Sequence, residues 1–96
     1  MESIATVATD RPERYLKQLC SHLGRKVQAD YTETQGLLTF AYGQCELAVR
    51  PGGLVLNAAA PTADDLAKVE DVVGRHLIRF GERDELDVQW KAAGES

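Results

Sequence analysis

Between residues 26 and 60 the hydropathy of this chain has a period of two, and that alternation limits the possible folds more than any other feature of the sequence. Val27, Ala29 and Tyr31, then Leu38, Phe40 and Tyr42, then Cys45, Leu47 and Val49, then Leu54, Leu56 and Ala58 alternate with mostly polar or small residues. These runs read as four consecutive strands. The connections at 32–36, 43–44 and 51–53 carry turn chemistry, so strands adjacent in sequence are expected to pair antiparallel. A strand that alternates in this way needs cover on one face only.

Two helices are available to provide the cover. Asp10, Pro12 and Glu13 suit a helix start, and Tyr15, Leu16, Leu19, Cys20 and Leu23 fall on one stripe of a helix at about 11–23. Asp10 is the expected cap, and Gly24 the expected left-handed residue that ends the helix. Thr62 begins a second helix with Asp64 and Asp65 near its positive end, and Leu66, Val69, Val73, Leu77 and Phe80 form its stripe. Asp71, Arg75 and Arg79 form a ladder on its outer surface. Residues 3–9 read as a first strand and 86–90 as a last one, with Leu86, Val88 and Trp90 on one face. The predicted fold is therefore α+β and two-layered, a mainly antiparallel sheet with both helices on one face, in the order β-α-β-β-β-β-α-β. A single domain over 1–96 is expected, with an ordered core at about 3–91 and a flexible C-terminal tail over 92–96.

Ninety-six residues suffice for one core, since a chain of this size buries roughly 60 to 70% of the surface it exposes when unfolded. Fifteen acidic against eleven basic residues give a net charge of −4, which argues against nucleic acid as a partner, because affinity for a phosphate backbone comes from an excess of cations. No apolar run reaches the length of a membrane-spanning helix, and Met1-Glu2-Ser3 does not start like a signal peptide, so no membrane partner and a cytoplasmic location are expected. Cys20 and Cys45 both lie in apolar-patterned segments, as buried thiols of a reducing compartment would.

The histidines are the residues best suited to chemistry. His76 projects about 50° from the centre of the second stripe, and His22 lies at the edge of the first, near a helix C-terminus. A metal site using both would need the helices to pack side by side, and no third ligand is evident. Cys20 and His22 diverge by about 160° on a helix and cannot hold one ion between them. Cys45 points toward the core, where burial makes a thiol inert, so no catalytic residue is assigned. Trp90, Tyr15, Tyr31 and Tyr42 line either a core or a groove for a planar ligand.

The segment 14–22, Arg-Tyr-Leu-Lys-Gln-Leu-Cys-Ser-His, together with His76-Leu77-Ile78-Arg79-Phe80 and the following Glu85-Leu86-Asp87-Val88-Gln89-Trp90, resembles the bacterial domain-of-unknown-function 2218 family. The matching positions are Arg14, Tyr15, Leu19, Cys20, His22, His76, Arg79, Phe80 and Trp90. Members of that family stand alone, or occur beside or fused to siderophore-interacting flavin reductases. The resemblance thus implies an accessory role in iron acquisition, with such a reductase as protein partner, and supplies no catalytic assignment.

The function expected from these readings is that of a non-catalytic binding or accessory module linked to siderophore and iron use, working through the open sheet face or a helix edge. Its binding residues are expected to be Tyr15, His22, His76, Arg79 and Trp90, with no cofactor evident. Two alternatives belong to other classes. One is a small metal-dependent protein or enzyme using His22 and His76; the other is a structural domain that dimerises through an exposed sheet edge.

Overall fold

The computed structural model describes residues 1–93. Its elements run β1 (Glu2–Ala8), α1 (Pro12–Leu23), β2 (Gln28–Tyr31), β3 (Gln35–Phe40), β4 (Gly43–Arg50), β5 (Gly53–Ala59), α2 (Ala63–Phe80), a short 3-10 turn (Glu82–Asp84) and β6 (Lys91–Ala92). This is the expected order, and all strand pairs are antiparallel. The sheet order is β2-β3-β4-β5-β1-β6, so the N-terminal strand enters between β5 and the last strand.

The pairing register shows why alternation gives two distinct faces. Leu47 lies opposite Leu56, and Leu56 opposite Ala5, on the face covered by the helices. One residue along, Leu37, Glu46, Asn57 and Ile4 form a row across the other face, which no helix covers. Leu16, Leu19 and Cys20 of α1 and Val69, Val73 and Leu77 of α2 are fully buried against Leu38, Cys45, Leu54 and Leu56 of the sheet. Burying an aliphatic side chain of this kind stabilises a fold by roughly 1.5–3 kcal/mol, and here nearly all of that burial lies in one layer between sheet and helices.

The helix ends depart from expectation on α1 and match it on α2. Thr62 caps α2, its hydroxyl accepting the Asp65 N–H at 3.1 Å. Asp10 does not cap α1: Arg11 occupies the cap position and makes no side-chain cap bond, while its own N–H donates to Thr9 Oγ1 at 3.0 Å. Gly24 keeps right-handed helical angles, φ −61° and ψ −11°, and so is not a left-handed stop. Its lack of a side chain is required instead by close approach, because a Cβ there would lie 2.8 Å from the Cys20 carbonyl oxygen.

The last segment is the main correction. The expected strand over 86–90 is an irregular strap, and regular pairing is confined to Lys91 and Ala92, opposite Ile4 and Ser3. Its alternation is real, with Leu86 buried and Val88 and Trp90 half-buried, but residues 86–90 join no strand ladder, and Val88 and Trp90 lie against Gly74 of α2. The cause is a gap in the helix surface at Gly74: Trp90 Nε1 and Val88 Cγ1 sit 3.3 and 3.6 Å from where a Cβ would be. Glu85, at φ +54°, turns the chain into this path after the 3-10 turn. The expected flexible tail begins at Ala92, which is paired; residues 94–96 lie outside the described residues.

Candidate functional site

The helices pack side by side on the sheet, and this brings both histidines together. His22 comes from the last turn of α1 and is exposed, while His76 comes from α2 and is half-buried. Their ring centroids are 5.3 Å apart and tilted by 45°. Phe80, one helical turn beyond His76, stands edge-on to His22 at 5.2 Å and 6.3 Å from His76. Three rings thus converge at the seam between the helices.

The state of His76 follows from its hydrogen bond. Nδ1 lies 2.6 Å from the Val72 carbonyl oxygen, which only accepts, so Nδ1 carries the proton and donates it. In the neutral ring this leaves the Nε2 lone pair free as an acceptor or ligand atom. Among the described residues no group of three or more His, Cys, Asp or Glu side chains is placed to hold a metal ion. The two imidazoles therefore supply fewer donors than the four of a tetrahedral structural site.

Outward from the seam, His22 and Phe80 line an open cleft of about 400 Å³ whose remaining wall is Arg14, Lys17, Ser21 and Arg25, with Gln18 between them. Arg14 and Lys17 stand on the outer face of α1, opposite its apolar stripe, and Arg25 follows in the turn just past the end of the helix; all three are exposed. Sequence reasoning had placed Phe80 in the core stripe and passed over Lys17 and Arg25. Their signal was present in the basic residues on the polar face of α1 and in the turn just after it, but it gained meaning only once α2 set Phe80 beside them.

The other expected site residues lie elsewhere. Tyr15 is buried, and its hydroxyl donates to the Asp84 carboxylate, tying α1 to the 3-10 turn. That hydrogen bond, then burial, then the Asp84 charge push the Tyr15 pKa above its ordinary value. Trp90 lies on the opposite flank of α2, against Gly74 and beside a separate depression of about 460 Å³ with Val88 and Ile78. Arg79 is exposed on α2, in the turn between His76 and Phe80. Of the five expected binding residues, only His22 and His76 are thus shown in contact with one another.

The aromatic side chains do not form one groove. Tyr42 stacks on Phe40 at 5.4 Å beneath Lys68, while Tyr31 borders a trough of about 710 Å³ on the open sheet face with Leu37, Glu46, Arg50 and Asn57. Cys20 and Cys45 are free of any disulfide and buried, and burial pushes their pKa values up to about 11 and about 12. For Cys45 the nearby Cys20 charge adds to the effect. Such thiols stay protonated at neutral pH and are poor nucleophiles. Among the described residues, no helix is long and apolar enough to cross a membrane.

A family model described as "Uncharacterized protein conserved in bacteria (DUF2218)" matches residues 4–91. Among solved structures, the chain is similar to the NMR structure of PA4090 from Pseudomonas aeruginosa, with 31% sequence identity, a TM-score of 0.80 and 98% of each chain covered. No curated protein matches.

Proposed function

Since the chain belongs to the DUF2218 family conserved in bacteria, we propose that it is a non-catalytic binding module whose working surface is the seam between α1 and α2. One observation carries this reading: His22, His76 and Phe80, distant in sequence, meet with ring centroids 5.2–6.3 Å apart at the edge of an open cleft. Ring faces, one fixed imidazole tautomer and surrounding cations are recognition chemistry. Both thiols, by contrast, are sequestered in the core.

The finer reading is an accessory role in siderophore and iron use, with a siderophore-interacting flavin reductase as the protein that meets this seam. Its support is the sequence resemblance of the His22 and His76 segments, which are the two segments that build the seam. The test is calorimetric titration of the full chain against such a reductase encoded beside it. Saturable binding is expected, and the His22→Ala, His76→Ala double variant, with its amide spectrum unchanged, should weaken it by about tenfold or more. Absence of any heat of binding for the unaltered chain at micromolar concentrations would reject the reductase as partner.

A second reading has its own support in the free Nε2 of His76 beside His22: a metal ion held by both imidazoles, with its other ligands supplied from outside the chain. Zinc titration followed through the imidazole nitrogen signals separates the two readings. Saturable shifts at both rings favour the metal site, and unchanged rings with intact reductase binding favour the module.

A further inference from the structure

We propose that the wall of the cleft formed by α1 and the turn after it is an anion site, taking a small organic polyanion whose carboxylate or phosphate groups meet Arg14, Lys17 and Arg25 while its flat part lies against His22 and Phe80. This deepens the binding-module reading and rests on it by naming the ligand class of the same seam. The first argument is charge placement. The chain carries −4 overall, yet the lining of this cleft contains three fixed cations and no carboxylate. Glu13, the only acidic residue of α1, is not part of the lining.

The second argument is the contrast between the two helices. On α2 two of the three exposed cations meet a local carboxylate, Lys68 with Asp65 at 3.6 Å and Arg75 with Asp71 at 3.7 Å, and Arg79 alone has no ion pair among the described residues. Such local pairing is how a solvated helix face is ordinarily built. Among the described residues, Arg14, Lys17 and Arg25 have no such ion pair. Converging like charges repel one another, so an unpaired cluster raises the local affinity for an anion.

Shape and side-chain chemistry point to a small molecule rather than a macromolecule. A cleft of about 400 Å³ lies within the range of small-ligand sites, roughly 300–1,000 Å³. Two guanidinium forks can each meet a carboxylate or phosphate in two parallel hydrogen bonds, with Lys17 as a mobile point charge between them. Ser21 and Gln18 add neutral hydrogen-bonding groups to the same wall. The Phe80 ring, held edge-on to His22, offers an apolar surface beside the cations, a combination suited to a ring that bears acidic groups.

The test is a chemical-shift titration of the isotope-labelled full chain at low salt with trimesate, phenyl phosphate and the neutral triamide of trimesate. Trimesate, phenyl phosphate or both should give saturable shifts at Arg14, Lys17, His22 and Arg25, and the tighter of the two identifies the acidic group; the triamide should give none. In a Lys17→Glu, Arg25→Glu variant the anion affinity should fall by about tenfold or more. Both positions are exposed, so the fold should survive, and the amide spectrum of the variant checks this. No saturable shift with either anion would overturn the proposal, as would shifts of equal affinity in the charge-reversed variant or an equal response to the triamide. Reductase binding is measured in the absence of these anions, so failure of the anion site leaves that result standing.

Discussion

Tyr15 shows how far one residue can be read from sequence and where reading stops. Its place in the α1 stripe predicted burial, and the ring is buried. Its hydroxyl partner, Asp84, is 69 residues away and follows a turn that local patterning does not reveal, so the bond between them is a product of tertiary structure alone. Tyr15→Phe removes a hydrogen bond to a charged acceptor that remains exposed to solvent. Allowing for solvent screening, a loss of about 1 kcal/mol is expected in denaturant unfolding near neutral pH. The same bond predicts an alkaline effect. The Asp84 hydrogen bond, burial and the Asp84 charge hold the folded Tyr15 pKa above its ordinary 10.0, so the folded chain keeps this proton longer than the unfolded chain does. The stabilisation is complete below the ordinary value and is lost as pH rises through the folded value. Unfolding curves collected on either side of pH 10.0 should show the parent losing stability more steeply than Tyr15→Phe, and equal slopes would separate the titration from this residue.

At the scale of elements, hydropathy and capping chemistry gave the helices well, and they gave one helix start better than the other. Asp10 and Thr62 both precede helices and are both good capping residues, yet only Thr62 bonds the helix it precedes. At α1 the turn is closed from behind, by Thr9 Oγ1 accepting the Arg11 N–H, which leaves Asp10 outside the cap. Thr62→Ala should therefore cost about 1 kcal/mol in thermal or denaturant unfolding, whereas Asp10→Ala should stay within about 0.5 kcal/mol of the parent. Equal costs would show that Asp10 caps α1 in solution. The strap after α2 teaches the complementary lesson. A period of two at Leu86, Val88 and Trp90 correctly reported a segment with one buried side, but periodicity does not say what covers that side. The cover is α2 at Gly74, and a glycine inside a helix carries no period to announce it. For the same reason Trp90 was grouped with the histidines, although it lies on the other flank of the helix.

For the whole molecule, alternation determined which face of each strand is covered but not which strands are neighbours. Nothing local places β1 between β5 and β6; that depends on long-range pairing of Ala5 with Leu56 and of Ser3 with Ala92. The seam between the helices was legible only in part for the same reason. Each histidine could be placed on its own helix face, while their meeting required the two helices to share one side of the sheet. The molecule is only 21 Å through its thin dimension, room for a sheet and one helical layer. Its open face, with Leu37, Ala48 and Val55 half-exposed, must then be stable in water as it stands. Two neighbouring residues of β5 test this directly. Leu56 points into the helix layer and is fully buried, so Leu56→Ala should cost about 2–5 kcal/mol. Val55, one residue earlier, points to the open face and already meets solvent, so Val55→Ala should cost less than about 1 kcal/mol. Denaturant unfolding of the two variants at several protein concentrations reads both values. A Val55→Ala cost that equals the Leu56→Ala cost and grows with protein concentration would mean that a second copy covers the open face, and the molecule would then be a four-layer dimer rather than a two-layer monomer.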